Sequence, residues 1–223
     1  MKVDKNKKYY KVVDEKGHYG VKYRLGLNID PLPFNDDKDD ECVKSEIHFS
    51  DLDNIFSYFH CGDYVAEVSI PADAKVCCNN SWDKARADKI IINKIMSKEE
   101  FISWLIDSEQ FNWEEYSWAI AMFCVDRLDP ERFNWEEHSW VVAMFCPDKL
   151  DTERFNWKEY SWVVAEYCPC KIDPEKYDWQ AWSHYVAKHC PDKLVPEKFN
   201  WKQDSWAVVE YCQEKMKLRP NDK

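Results

Sequence analysis

Five cysteines stand 22 residues apart: Cys124, Cys146, Cys168, Cys190 and Cys212. Thiolates bind zinc and act as nucleophiles, so the pattern raises metal chemistry first. A zinc ion gathers its sulfur ligands at about 2.3 Å, whereas stacked helices stand about 8–10 Å apart. One cysteine per repeat therefore reads as a packing residue, and no metal or cofactor is expected. Cys168-Pro169-Cys170 and Cys77-Cys78 are too close-set to read as ligand pairs. Nearer the N-terminus, His18, His48, His60, Glu67, Asp51 and Asp53 are of the types that general acid–base catalysis uses. The local pattern gives several of them other duties. Asp51 and Asp53 fall in the first turn of a helix, Glu67 on the exposed side of a strand, and His48 in a strand with apolar flanks. No glycine-rich phosphate loop, Gly-x-Ser-x-Gly elbow or His-Glu-x-x-His run occurs. No residue is assigned a catalytic role.

The cysteines are one column of a repeat whose copies open at Phe111-Asn112-Trp113, Phe133-Asn134-Trp135, Phe155-Asn156-Trp157, Tyr177-Asp178-Trp179 and Phe199-Asn200-Trp201. Ser117, Ser139, Ser161, Ser183 and Ser205 form a second column. Such a period marks stacked units that bury one another's apolar faces. Each unit reads as one helix, Trp113 to Cys124 in the first, started by an Asn or Asp N-cap. Trp113, Ser117, Ile120 and Cys124 fall on one stripe of that helix. Pro147, Pro169 and Pro191 end the helix, and Asp129-Pro130-Glu131 and Asp173-Pro174-Glu175 predict a second, single-turn element. Residues 97–106 repeat the Ser-Trp-apolar pattern early and read as a cap of the array.

A third column, Trp118, Trp140, Trp162, His184 and Trp206, falls in the middle of the polar helical face, beside Glu115, Glu137 and Glu159. Two readings are open. Exposed, the column is a recognition surface, because tryptophan dominates binding hot spots. Alternatively, the short second element folds over this face and buries it.

Of twelve tryptophans, eleven lie from Trp104 to Trp206. Residues 96–223 hold 16 basic and 25 acidic side chains, which gives them −9 of the net −11. An acidic array repels a phosphate backbone, which argues against nucleic acid as a direct ligand and suits a basic protein partner. No apolar run reaches the roughly 20 residues of a membrane span, and Met1-Lys2-Val3-Asp4-Lys5 leads into no signal-type apolar region. Reduced thiols in an intracellular protein are the expectation.

Residues 1–95 change character. Tyr9–Val13 and Val21–Leu25 read as strands around a turn at Glu15-Lys16-Gly17, and Asn28–Glu46 as a loop. A helix follows Ser50 through Phe59, and residues 64–70, 75–78 and 89–92 read as strands. The fold expected is a small α+β domain over 1–95, then an all-α solenoid over 96–223. Gly26-Leu27-Asn28, Pro33-Phe34-Asn35-Asp36-Asp37, Cys42, Phe49 to Phe56, Gly62-Asp63-Tyr64, Glu67-Val68, Ile70-Pro71 and Ala87-Asp88-Lys89-Ile90 resemble the N-terminal domain of giant-virus ankyrin-repeat and related repeat proteins. That resemblance covers about residues 8–95. The 22-residue unit lacks the ankyrin Thr-Pro-Leu-His signature, so the ankyrin fold does not carry over. The resemblance implies a viral interaction protein acting on host or viral proteins in the host cytoplasm, with nucleus or virion as alternatives. A self-associating structural component is the second reading. An enzyme based on the N-terminal domain, with an ADP-ribosyltransferase-like sheet, is the third.

Overall fold

A computed structural model describes residues 3–15, 17, 22–37, 47–78 and 83–220. It divides into two compact units, Met1–Glu109 and Gln110–Lys223.

The first unit is antiparallel throughout its described strand pairs. β1 (Tyr9–Val13), β4 (Tyr64–Ser69), β7 (Lys89–Ser97) and β2 (Gly26–Ile29) form one sheet in the order β1-β4-β7-β2. β3 (Ile47–Phe49), β6 (Ala85–Ala87) and β5 (Val76–Cys78) form a second, in the order β3-β6-β5. Their β-branched and aromatic residues meet in one core that includes Tyr9, Ile47, Phe49, Val68, Ile90 and Ile92. The edge strand β2 begins five residues later than the sequence suggests. Residues 22–25 are irregular and Val21 lies outside the described residues. Gly26 takes φ +88°, and Asn28 is buried and bonds back to Arg24 and Gly26, so the extended run starts there. The segment read as a helix after Ser50 is a 3-10 helix, Ile55–Cys61, while Ser50 bridges to Tyr10. Gly62 ends it where the chain crowds β1: a Cβ there would lie 2.6 Å from the Val13 carbonyl oxygen.

α1 (Lys98–Asp107) starts in a capping box, in which Ser97 accepts from the Glu100 amide and the Glu100 carboxylate accepts from the Ser97 amide. This is the helix that the sequence reading places at the head of the array. In the structure Phe101 is fully buried against Tyr10, Phe56 and Phe59, which places α1 in the first unit.

The second unit repeats one module five times. Helices α2 (Trp113–Phe123), α3 (Trp135–Phe145), α4 (Trp157–Tyr167), α5 (Trp179–His189) and α6 (Trp201–Tyr211) are each 11 residues long. A 3-10 helix follows each: Val125–Arg127, Pro147–Lys149, Pro169–Lys171, Pro191–Lys193 and Gln213–Leu218. The short element therefore comes directly after the cysteine, and three of the five begin on the proline that ends the α-helix. Asp129 caps a separate turn further on, as the sequence predicts: its Oδ1 accepts from the Glu131 amide at 3.0 Å and its carbonyl from the amides of Arg132 and Phe133. Each helix packs on the next. The architecture is an α+β unit followed by an all-α solenoid of helices and 3-10 turns.

Candidate functional site

The solenoid face is set by a hydrogen-bond ladder that the columns build together. Each N-cap side chain accepts an amide proton of its own first turn. For Asn112, Asn134, Asn156 and Asn200 these bonds are 3.2–3.3 Å. The N-cap backbone amide then donates to the serine of the previous unit: Asn134 to Ser117, Asn156 to Ser139, Asp178 to Ser161 and Asn200 to Ser183, at 3.0–3.2 Å. The side-chain amides of Asn134, Asn156 and Asn200 donate to carbonyls of Glu114, Glu136 and Gln180 at 2.8–3.0 Å. Asp178 has no such proton, and Trp182 Nε1 takes the equivalent Lys158 carbonyl at 3.4 Å.

The opening aromatics pin the module from the other side. Trp135, Trp157, Trp179 and Trp201 donate Nε1–H to a carbonyl five residues upstream at 2.8–2.9 Å. Each packs on the Phe or Tyr two residues before it, with ring centroids 4.9 Å apart. The cysteine column is buried throughout. Burial pushes the thiols of Cys146, Cys168 and Cys190 up to about 11, and that of Cys212 upward.

On this frame, Trp118, Trp140, Trp162 and His184 are half-buried, while Trp206 is 50% exposed. The three half-buried indoles pack partly on the core cluster and leave the rest in solvent. Part of the cover on Trp162 comes from the neighbouring helix. Its ring lies 6.4 Å from Trp182 and 5.5 Å from Tyr185 of the next unit. His184 continues the row to Trp206, 6.2 Å away. Glu115, Glu137 and Glu159 are exposed along it. The backbone carbonyls of Glu115 and Glu137 bond His138 and Tyr160 of the following units, so the rim is fixed while its carboxylates face water.

His184 stands where the other units have tryptophan, and Asp204 stands where they have Tyr, His or Trp. The two exceptions meet. Asp204 is 4% exposed, accepts from Ser183 Oγ at 2.6 Å and from the His184 amide at 3.3 Å, and lies 3.4 Å from His184 Nδ1. A buried carboxylate needs such partners.

The sequence reading missed a second aromatic column directly before each cysteine: Phe123, Phe145, Tyr167, His189 and Tyr211. Phe145, Tyr167 and Tyr211 are exposed by 49%, 45% and 42%. The 22-residue period alone reveals this column, although helical-wheel reasoning does not single it out.

The N-terminal candidates are given structural partners. Glu67, expected on an exposed face, is buried and pairs with Lys8 at 3.0 Å. The His48 carbonyl accepts from Lys11, a buried lysine whose ammonium is lowered to about 8 by desolvation. Asp51 accepts from Asn54, His60 is exposed beside Cys61, Asp53 is exposed, and His18 lies outside the described residues. Two open grooves on this unit, about 510 and 410 Å³, share Tyr64 and Ile95 and are lined by none of these candidates.

No family model and no solved structure matches the chain. Its sequence is similar to proteins of Acanthamoeba polyphaga mimivirus. It is 32% identical over 91 residues to one putative ankyrin repeat protein, covering 39% of this chain and 45% of that protein. It is 47% identical over 60 residues to a second, covering 27% of this chain and 18% of that protein. An uncharacterized protein of the same virus is 38% identical over 68 residues, covering 30% and 49% respectively. The chain thus spans less than half the length of each of these relatives. Among the described residues no helix is long and apolar enough to cross a membrane.

Proposed function

We propose that this chain is a non-enzymatic recognition protein of a giant virus, which engages a host or viral protein in the host cytoplasm through its solenoid. Ankyrin-repeat relatives point to protein–protein interaction in general. The observation that carries the reading is the column Trp118, Trp140, Trp162, His184 and Trp206, anchored on the core yet open to solvent. Held aromatics of this kind give contact area at little cost in ordering. Glu115, Glu137 and Glu159 form the rim, which favours a basic partner and speeds its encounter.

The test is capture from infected amoebae with the intact chain and with Trp140→Ala/Trp162→Ala, followed by affinity measurement on the recovered partner. Loss of about 2 kcal/mol or more of binding per residue is expected. The half-buried rings should cost about 1–2 kcal/mol of stability each, below the roughly 3–5 of a core tryptophan. A folded double variant that binds at full strength removes the column from the site.

A further inference from the structure

The tryptophan column holds donors and charges that the fold itself does not use. The opening indoles Trp135, Trp157, Trp179 and Trp201 all donate Nε1–H to a carbonyl. Those of Trp140 and Trp162 are open to water and donate to no acceptor among the described residues. The acidic side chains of the array divide in the same way. Glu131, Glu153 and Glu175 are each paired with a cation of the next repeat, Arg154, Lys176 and Lys198. Glu137 and Glu159, beside those indoles, form no ion pair among the described residues, and Glu115 accepts from its own N-cap Asn112. These carboxylates belong to the first three repeats: Ala181 and Gln203 hold the same place in the fourth and fifth. The acidic run therefore coincides with the unbroken run of tryptophan, Trp118 to Trp162, and ends where His184 replaces it.

An occupant of this stripe has to supply acceptors to the indoles and one cation to each carboxylate, at the spacing of the repeat. Packed helices stand about 8–10 Å apart. An α-helix uses its own carbonyls internally and has none to offer along its length. A β-strand alternates its side chains, so residues three apart point to opposite faces. A polyproline II helix meets every condition. Its three residues per turn, at about 3.1 Å each, put every third side chain on one face about 9 Å apart, and its carbonyls are unbonded. Its proline-rich segments dock on aromatic surfaces and arrive already ordered. Building on the recognition role above, we propose that the partner presents a polyproline II segment with arginine or lysine at every third position, laid along the first three repeats. Each cation meets one of Glu115, Glu137 and Glu159, and the carbonyls between them accept from Trp140 and Trp162. Two steps of three residues set the core of the segment at about seven residues.

Isothermal titration calorimetry of the full chain with synthetic peptides tests this. The probe is Pro-Pro-Arg three times over. One control has the same composition with its three arginines consecutive, and a second is an alanine-based helix with arginine at every seventh position. The probe should bind one per chain, about tenfold or more tighter than either control, and weaken as salt rises. Glu137→Gln/Glu159→Gln and Trp140→Ala/Trp162→Ala should each weaken it about tenfold or more at unchanged helix content, while Gln203→Ala, in the fifth repeat, should leave it within about twofold. A control that binds as tightly, a probe that does not bind, or probe affinity that survives Glu137→Gln/Glu159→Gln overturns the proposal. Capture of the native partner separates the two levels. If it still depends on Trp140 and Trp162, the recognition role stands and the class of segment alone is wrong; if it is indifferent to both, the recognition role falls as well.

Discussion

A thiol, an indole and a carboxylate show how one side chain's surroundings decide its role here. Cys146, Cys168 and Cys190 are neutral because burial penalises the thiolate, and the thiolate is the reactive form. Cys61 and Cys170 are exposed. Alkylation of the native protein followed by mass spectrometry should therefore modify Cys61 and Cys170 rapidly and the three buried thiols only as the array opens. Equal rates would contradict the packing role. The sign of the pH effect follows. The unfolded thiols lose protons near 9 and the folded ones near 11, so this contribution to stability is complete below about pH 9 and is lost as pH rises through that window. The cysteine column and the Asn caps were legible in the sequence because both recur with the period. The burial of Glu67 was not, because its partner Lys8 is 59 residues away, and the meeting of His184 with Asp204 needs the stacking register between two units.

At the scale of the element, the helix starts were readable because capping is local chemistry. The Asp-Pro-Glu turn was readable for the same reason, since Asp129 and Asp173 each accept the amide two residues on. The 3-10 helix directly after each cysteine was not, because Pro147, Pro169 and Pro191 read only as helix ends. β2 was displaced because the bonds from Asn28 back to Arg24 and Gly26 override strand propensity. The serine ladder supplies its own control. Ser139→Ala leaves the half-buried Asn156 amide without its serine acceptor and should cost about 1–3 kcal/mol in urea unfolding. Ser205→Ala, at a half-buried hydroxyl to which no N-cap amide donates among the described residues, should change stability by less than about 0.5 kcal/mol. Equal losses would show that the hydroxyls act within their own helices and do not join the repeats.

For the molecule as a whole, the repeat dictates where solvent can reach the array. In a solenoid each unit contacts only its neighbours, so a column of side chains becomes a continuous stripe. The exposed ion pairs along the array, Lys176 with Glu153 at 2.5 Å and Lys198 with Glu175 at 2.6 Å, also repeat at the same offset. Being solvated, they fix little stability and set surface charge pattern instead. The sequence revealed the stripe; it left open whether the stripe faces water, because that depends on how far each neighbouring helix overlaps an indole. Fluorine NMR of the 5-fluorotryptophan-labelled chain, titrated with the captured partner, tests the recognition role most directly. Resonances of Trp118, Trp140 and Trp162, assigned by single substitution, should shift or broaden on binding, while those of the buried Trp135, Trp157 and Trp179 hold their positions. Changes that spare the first set and fall elsewhere would contradict it.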